Sequence, residues 1–211
     1  RLVVGSVKMC IRDSQNNVLT DFLSTGTYTA KREFYKTTSP SMDILVSSNL
    51  ERLLYHVTGS DAEVAGLMKN LNETGRYTVR PETLKAIQES FDCGWSSEEQ
   101  VAGEIRARYE KDGYLCDTHT AVAFHVAAQK KRDGVPMVVL STASPFKFPR
   151  SVLEALGHTA PENDFEAMQA LEEATGRTAP ASLAVLRQKA ERFSTVIDPA
   201  QIAEVALSCQ A

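Results

Sequence analysis

One short apolar run constrains the fold of this chain more than any other feature. Val135-Pro-Met-Val-Val-Leu-Ser141 precedes a loop of small residues, and this is the pattern of a strand buried on both faces of a parallel sheet. Such a strand needs a neighbour on each edge, because an unsatisfied buried N–H or C=O group costs ~1–3 kcal/mol. The sequence offers one other long strand candidate, residues 2–10. Most of the sheet that holds this run is therefore expected to come from outside this sequence.

The remainder of the chain is predicted to be mainly helical. Capping residues, Pro at helix starts and Gly at helix ends define the segments. The predicted helices are 39–54, 61–75, 81–87, 97–113, 117–126, 151–156, Asp164–Thr175, 181–189 and 199–207, and Tyr77-Thr-Val79 is a predicted short strand. The fold class is therefore α/β, rich in helices and with few strands.

Composition narrows the classes of function. The 211 residues are 43% hydrophobic and 24% charged, with a net charge of -4, which is the composition of a soluble globular protein. Acidic residues are interspersed with the basic ones, so no basic field for nucleic acid or an anionic membrane is expected. The composition therefore favours chemistry on a small-molecule substrate over binding to nucleic acid or a membrane.

The cysteines and the apolar runs indicate the compartment. The cysteines lie far apart in sequence, without Cys-x-x-Cys spacing, and predict reduced thiols, with no zinc site and no disulfide framework. They are Cys10, Cys93, Cys116 and Cys209. No apolar run reaches the ~20 residues of a membrane span, and no signal-peptide pattern is seen. The predicted location is the cytoplasm.

The loop that follows the apolar run carries a pair of hydroxyl groups. Its sequence is Ser141-Thr-Ala-Ser-Pro-Phe-Lys-Phe148, which places Ser141 and Thr142 at the carboxyl end of the predicted strand. Open α/β sheets bind their ligands at that edge. A Ser-Thr pair after a strand is nevertheless more often a turn or a helix cap, so this loop alone does not define a site.

Five segments together resemble the threonine synthase family in order and spacing. They are Asn16-Asn-Val-Leu-Thr-Asp-Phe22, Phe34-Tyr-Lys-Thr-Thr-Ser-Pro-Ser-Met-Asp-Ile44, Ser48-Asn-Leu-Glu-Arg52, Asp117-Thr-His-Thr-Ala-Val-Ala123 and residues 141–148. The resemblance covers residues 15–211 and implies the C-terminal portion of a pyridoxal-phosphate (PLP) enzyme. The implied fold is an incomplete three-layer α/β fold of the tryptophan synthase β-subunit type. Residues 15–157 would belong to the PLP-binding domain, and residues 158–211 would form a helical extension packed on it.

The resemblance also implies an activity and a cofactor. The activity is that of a lyase that converts O-phospho-L-homoserine and water to L-threonine and phosphate, with PLP. The family's motif assigns Thr142 the hydrogen bond to the pyridine nitrogen of PLP, and Ser141 the adjoining pocket wall. His119 begins a predicted helix near the domain junction, and two roles stay open for it: a structural hydrogen bond or a place at the edge of the active site. Local capping and salt bridging are expected for Asp43, Asn49 and Arg52.

The sequence departs from the family in two places. The family's Schiff-base lysine, its Asn-rich segment and its Ser-Gly-Asn-Phe-Gly phosphate loop precede the matched region, and no such motif occurs in these residues. Lys36 and Lys147 lack the Phe-Lys-Asp context of that lysine, so this chain alone is not expected to catalyse the reaction. Residues 4–14 resemble the translation of a sequencing-library adapter, and residues 1–14 are interpreted as a non-native leader.

Two alternatives remain open at this stage. One is another PLP enzyme of the same fold, such as a threonine dehydratase or a cysteate synthase; Met42-Asp-Ile and the Asn49-x-x-Arg52 spacing favour threonine synthase. The other is a non-catalytic helical module that binds a partner, and this alternative predicts that residues 15–211 fold alone.

Overall fold

The structure, a computed structural model, describes residues 9–190, 192 and 194–208. Its strands are β1 (Met9–Asp13), β2 (Thr27–Thr29), β3 (Arg76–Thr78) and β4 (Phe91–Trp95). Its α-helices are α1 (Val18–Thr25), α2 (Ser48–Thr58), α3 (Asp61–Thr74), α4 (Pro81–Ser90), α5 (Glu98–Asp112), α6 (Thr118–Lys130), α7 (Pro149–Ala155), α8 (Asp164–Thr175), α9 (Ala181–Ala184) and α10 (Ile202–Ser208). Short 3-10 turns occupy Pro40–Met42, Pro145–Lys147, Val185–Gln188 and Pro199–Gln201. The predicted α/β class, helix-rich with few strands, is confirmed.

The strands form two separate pairs. β1 lies parallel to β4, with Met9 opposite Phe91 and Asp13 opposite Trp95. β2 lies antiparallel to β3, with Tyr28 opposite Tyr77. Helices α1 and α6 both pack against the parallel pair, so the carboxyl ends of β1 and β4 lie at one edge beside these helices.

An aromatic cluster forms the centre of the core next to the antiparallel pair. The rings of Tyr28 and Tyr77 stack with centroids 5.2 Å apart, and Phe22 from α1 meets the edge of Tyr77 at 5.8 Å. All three side chains are buried. The Tyr28 hydroxyl donates to the Leu45 carbonyl and accepts from the Ser47 N–H, each at 3.0 Å. The same residue therefore fills the core and fixes the chain that enters α2.

The helix ends follow the predicted capping chemistry. Ser97 and Gln100 form a reciprocal capping box at the start of α5, in which each side chain satisfies a backbone N–H that has no partner within the helix. Asp117 caps α6 with its side chain. Gly75, with φ of 76°, ends α3 in the left-handed region, as its position in the sequence predicts. These local predictions are confirmed.

The predicted helix 39–54 is wrong as one continuous element, because a 3-10 turn ends at Met42 and α2 begins only at Ser48. Between them, the Asp43 carboxylate accepts hydrogen bonds from a distant part of the chain, which holds this segment away from the helical path. Strand β4 was not predicted, since Phe91-Asp-Cys-Gly-Trp95 shows no clear alternation and its strand structure depends on pairing with β1.

The apolar run that predicts a buried strand is exposed and irregular in this structure. Val138 is 77% exposed and Leu140 is 66% exposed, and residues 136–142 lie outside every helix and strand of the described chain. The prediction of a buried strand is therefore wrong for this chain by itself. The physical reason is that a strand buries its backbone only when neighbours complete its hydrogen bonds.

The chain divides into two compact units between Ala179 and Pro180. In the first unit, α8 packs on α7, so the unit continues past residue 157, and the predicted domain boundary at 157/158 stays a prediction. In the second unit, Asp198 forms a capping box at the turn that leads into α10. None of the described helices is long and apolar enough to cross a membrane.

Residues 9–14 are integrated into the first unit. β1 pairs with β4 along its whole length, and the Asp13 carboxylate accepts the Thr20 N–H at 2.7 Å. The Asp13 carboxylate thereby satisfies a free N–H of the first turn of α1, because the side chain of Asn17 makes no capping bond. That residues 1–14 are a non-native leader stays a hypothesis about the gene. Most of the predicted strand at residues 2–10 lies outside the described residues.

Candidate active site

Buried polar side chains gather at one place in the first unit. They lie at the carboxyl ends of β1 and β4, at the start of α6, and in the loop of residues 34–43, hereafter the 34–43 loop. The buried members are Asp13, Ser14, Asn16, Ser39, Ser96, Asp117, Thr118, His119 and Thr120. Because burying polar groups is costly, such a concentration at the ligand-binding edge of a parallel sheet marks a candidate site.

Asp117 organises the start of α6. Its buried carboxylate accepts hydrogen bonds from the backbone N–H groups of His119, at 2.9 Å, and Thr120, at 3.3 Å, and from the Thr120 hydroxyl. The His119 Nδ1 atom lies 3.3 Å from Asp117 Oδ1. Burial raises the pKa of Asp117, but the hydrogen bonds from His119 and Thr120 outweigh it and hold the pKa below its ordinary value. Asp117 is therefore a carboxylate at neutral pH.

His119 joins this helix start to the 34–43 loop. Its Nε2 atom accepts a hydrogen bond from the Ser41 N–H at 3.2 Å. Because an acceptor nitrogen carries no proton, the proton of the neutral ring is assigned to Nδ1, where it faces Asp117. The ring also packs on Phe148, with centroids 4.8 Å apart. These contacts favour the structural hydrogen-bond role for His119, and its place at the edge of an active site stays a prediction.

Asp43 anchors the other side of the 34–43 loop. Its carboxylate accepts hydrogen bonds from the Ser14 hydroxyl at 2.8 Å, from Asn16 Nδ2 at 2.9 Å, and from the N–H and hydroxyl of Thr37 at 2.8 and 2.7 Å. Asn16 also bonds the backbone of Tyr35 through both ends of its amide. The expectation of purely local capping for Asp43 is therefore wrong, since it bonds residues 27 and 29 positions away.

Two further contacts complete the attachment of the loop. The Thr118 hydroxyl donates to the Thr38 carbonyl at 2.7 Å, and Glu98 accepts the Thr38 N–H at 2.9 Å. In contrast, Asn49 and Arg52 pair with each other on one face of α2, which is the local role expected for them. The sequence does not predict the loop contacts, because they join residues 60 to 80 positions apart.

Ser141 lies beside this polar cluster, and Thr142 follows it in the chain. The Oγ atoms of Thr120 and Ser141 are 3.5 Å apart, and the Ser141 hydroxyl donates to the Ala143 carbonyl at 3.4 Å. The structure thus brings Ser141 to the start of α6, where it contacts Thr120, the residue that follows His119. Thr142 is exposed. A neutral hydroxyl on an open surface can donate to or accept from a ring nitrogen, so these residues fit one wall of a PLP site.

Comparison with solved structures identifies the class of the fold. The PLP-bound threonine synthase from Brucella melitensis superposes with a TM-score of 0.79 and 37% identity, covering 95% of this chain and 39% of that chain. The fold is therefore that of the PLP-dependent α/β enzymes to which this synthase belongs.

Sequence comparison narrows the class to one family. The family model described as threonine synthase, C-terminal, matches residues 120–206. Threonine synthase from Methylobacillus glycogenes is 36% identical over 156 residues, covering 72% of this chain and 33% of that protein. Threonine synthase-like 1 from Homo sapiens is 36% identical over 151 residues, covering 71% of this chain and 20% of that protein. The chain belongs to the threonine synthase family and corresponds to its C-terminal portion.

Proposed function

We propose that this chain is part of an enzyme that converts O-phospho-L-homoserine and water to L-threonine and phosphate with PLP. Membership of the threonine synthase family implies a place in threonine biosynthesis. The observation that carries the proposal is the position of Thr142. It lies within the matched region 120–206 and follows Ser141, whose Oγ atom is 3.5 Å from Thr120 of the buried polar cluster.

The residues of this chain would bind and orient the cofactor. The Thr142 hydroxyl would bond the pyridine nitrogen, and Ser141 and Ala143 would allow close approach to a flat ring. When bound, PLP supplies an electron sink for substrate carbanions. A hydroxyl partner suits this chemistry, since it does not require a fully protonated ring as a carboxylate would. Asp117 would contribute negative charge only at a distance, through Thr120.

The apolar run would complete the site with residues from elsewhere in the enzyme. Val138 is 77% exposed and Leu140 is 66% exposed, so both leave apolar side chains in water. We propose that residues 136–140 pair with strands that this sequence does not contain, which would bury these side chains and fix Thr142 at a strand end. This chain alone would then be inactive, because its residues form one wall of the pocket.

An assay of the complete gene product tests the proposed reaction. Incubation with O-phospho-L-homoserine and PLP should release phosphate and form L-threonine in equal amounts. If the protein instead deaminates threonine, or converts a phosphorylated serine and sulfite to cysteate and phosphate, the alternative enzymes of the same fold gain support. The human relative is named threonine synthase-like 1 and not threonine synthase. Phosphate and L-threonine therefore both have to be measured.

A folding experiment tests the non-catalytic alternative. Residues 15–211 are expressed alone and unfolded by heat, followed by circular dichroism. The enzyme proposal predicts a poorly soluble or molten chain with a broad transition, because its apolar run lacks partners. A sharp cooperative transition and a soluble monomer would favour an independent binding module.

A further inference from the structure

The segment that carries Thr142 ends in a short hydrogen-bonded turn, Pro145–Lys147. At its start the Ser144 hydroxyl accepts the Phe146 N–H at 3.3 Å. At its end the Phe148 N–H donates to the carbonyl of the first turn residue at 3.1 Å. Thr142 lies two residues before Ser144. Because few rotatable bonds separate it from the turn, the position of the turn restricts where the Thr142 hydroxyl lies.

The turn is held against α6 by the ring of Phe148, the residue that follows it. This half-buried ring packs on the buried ring of His119, with centroids 4.8 Å apart. The His119 ring is itself fixed, because its Nε2 atom accepts the Ser41 N–H at 3.2 Å and its Nδ1 atom lies 3.3 Å from Asp117 Oδ1. His119 therefore offers Phe148 a surface that does not turn away.

We infer that Phe148 is a positioning residue of the PLP site: its packing on His119 fixes the turn, and through the turn it places the hydroxyl of Thr142. This role rests on the proposed function, in which Thr142 bonds the pyridine nitrogen. Without the contact, the cofactor-free protein would divide between states with this hydroxyl in place and out of place. The measured affinity falls with the fraction of molecules that can bind. Losing the contact therefore weakens PLP binding without changing any group that touches PLP.

Phe124 in α6 provides a matched control. Like Phe148, it is half-buried. Its ring lies 5.8 Å from the ring of Tyr114 and 4.7 Å from the Arg108 guanidinium, whereas Phe148 has an aromatic neighbour at 4.8 Å and a cation at 5.6 Å. Phe124, Tyr114 and Arg108 lie outside the buried polar cluster and the 34–43 loop. Phe148→Leu and Phe124→Leu thus remove the same ring from similar surroundings, and only the first removes a contact with the candidate site.

The test uses the complete gene product as wild type and as Phe148→Leu, Phe148→Tyr and Phe124→Leu, with melting temperatures to show that each is folded. PLP affinity is measured by titrating the cofactor-free protein. Loss of one aromatic contact predicts about 3- to 10-fold weaker PLP binding for Phe148→Leu. Phe148→Tyr, which keeps the ring, and Phe124→Leu should stay within about 2-fold of wild type. Hydrogen exchange of the backbone amides of residues 141–148 should be faster in cofactor-free Phe148→Leu than in wild type, and bound PLP should slow it again.

Wild-type PLP affinity in Phe148→Leu, or an equal loss of affinity in Phe124→Leu, would overturn this role of Phe148. Should Phe148→Leu fail to fold, Phe148→Met replaces it, since methionine is flexible enough to fill the space and lacks the flat ring. Phe148→Met is then expected to weaken PLP binding, and wild-type affinity in that variant would overturn the role. A wild-type protein that binds no PLP would overturn the proposed function itself, which distinguishes the two failures.

Discussion

The Nε2 atom of His119 accepts the backbone N–H of Ser41 at 3.2 Å, across 78 residues of chain. This single contact joins two segments that the family shares, the start of α6 and the 34–43 loop. It also fixes the tautomer of the ring, since Nδ1 must then carry the proton toward Asp117. The helix start and the loop are therefore held as one unit at the candidate site.

Replacing His119 by Ala should destabilise the protein strongly. The change removes the hydrogen-bond partner of the Ser41 N–H, the ring contact with Asp117 Oδ1 and the packing against Phe148. Together these losses are expected to lower the free energy of unfolding by about 2–4 kcal/mol. Urea unfolding of the complete gene product measures it. His125→Ala serves as the control, because His125 bonds the exposed Gln129 side chain, and a loss as large as that of His119→Ala there would refute the argument.

The second prediction concerns Asp43, which receives four hydrogen bonds. Asp43→Asn turns one acceptor into a donor that faces other donors, so about 1–3 kcal/mol of stability should be lost. Asp61→Asn is a suitable comparison, since Asp61 is exposed and bonds only the N–H of Ala62. Chemical denaturation should show a clear loss for Asp43→Asn and a change below about 0.5 kcal/mol for Asp61→Asn. Equal losses would show that Asp43 does not anchor the loop.

These predictions also show which parts of the molecule the sequence reveals. The capping box of Ser97 and Gln100 and the cap at Asp117 are predictable, because partners three residues apart meet in any helix start. The role of Asp43 is not, since Ser14 and Asn16 reach it only after the chain has folded. Ser141 and Thr142 can be identified from the resemblance, whereas the proximity of Ser141 to Thr120 is seen only in the folded chain.

A third prediction is the pH dependence caused by Asp13. Burial raises the pKa of this carboxyl to about 6, and hydrogen bonds from Thr20 lower it in part. The folded state therefore binds a proton more tightly than the unfolded state, whose pKa is near 3.9. The contribution to stability is fully present below about pH 4 and is lost as the pH rises through about 6.

Comparison with Asp13→Asn isolates this effect. Relative to the Asn variant, the protein that carries Asp13 should lose on the order of 2–3 kcal/mol between pH 4 and pH 6.5 and then stay constant. Asn keeps an oxygen that can accept the Thr20 N–H, so the cap is preserved. Thermal unfolding at a series of pH values measures the difference, and a flat difference would show that the carboxyl of Asp13 is not desolvated.

The last prediction uses Val138 to locate the missing neighbours of the apolar run. In this chain alone Val138 is 77% exposed, so Val138→Asp should leave stability within about 0.5 kcal/mol and raise the soluble fraction. In the complete protein the same change would bury an unpaired carboxylate between strands, and folding and PLP binding should both be lost. This chain alone and the complete protein are each expressed with and without the substitution. The effect of the substitution in one form is then the control for its effect in the other. A complete protein that carries Val138→Asp and still melts and binds PLP like wild type would mean that residues 136–140 stay in water, and Thr142 would then not lie at a strand end.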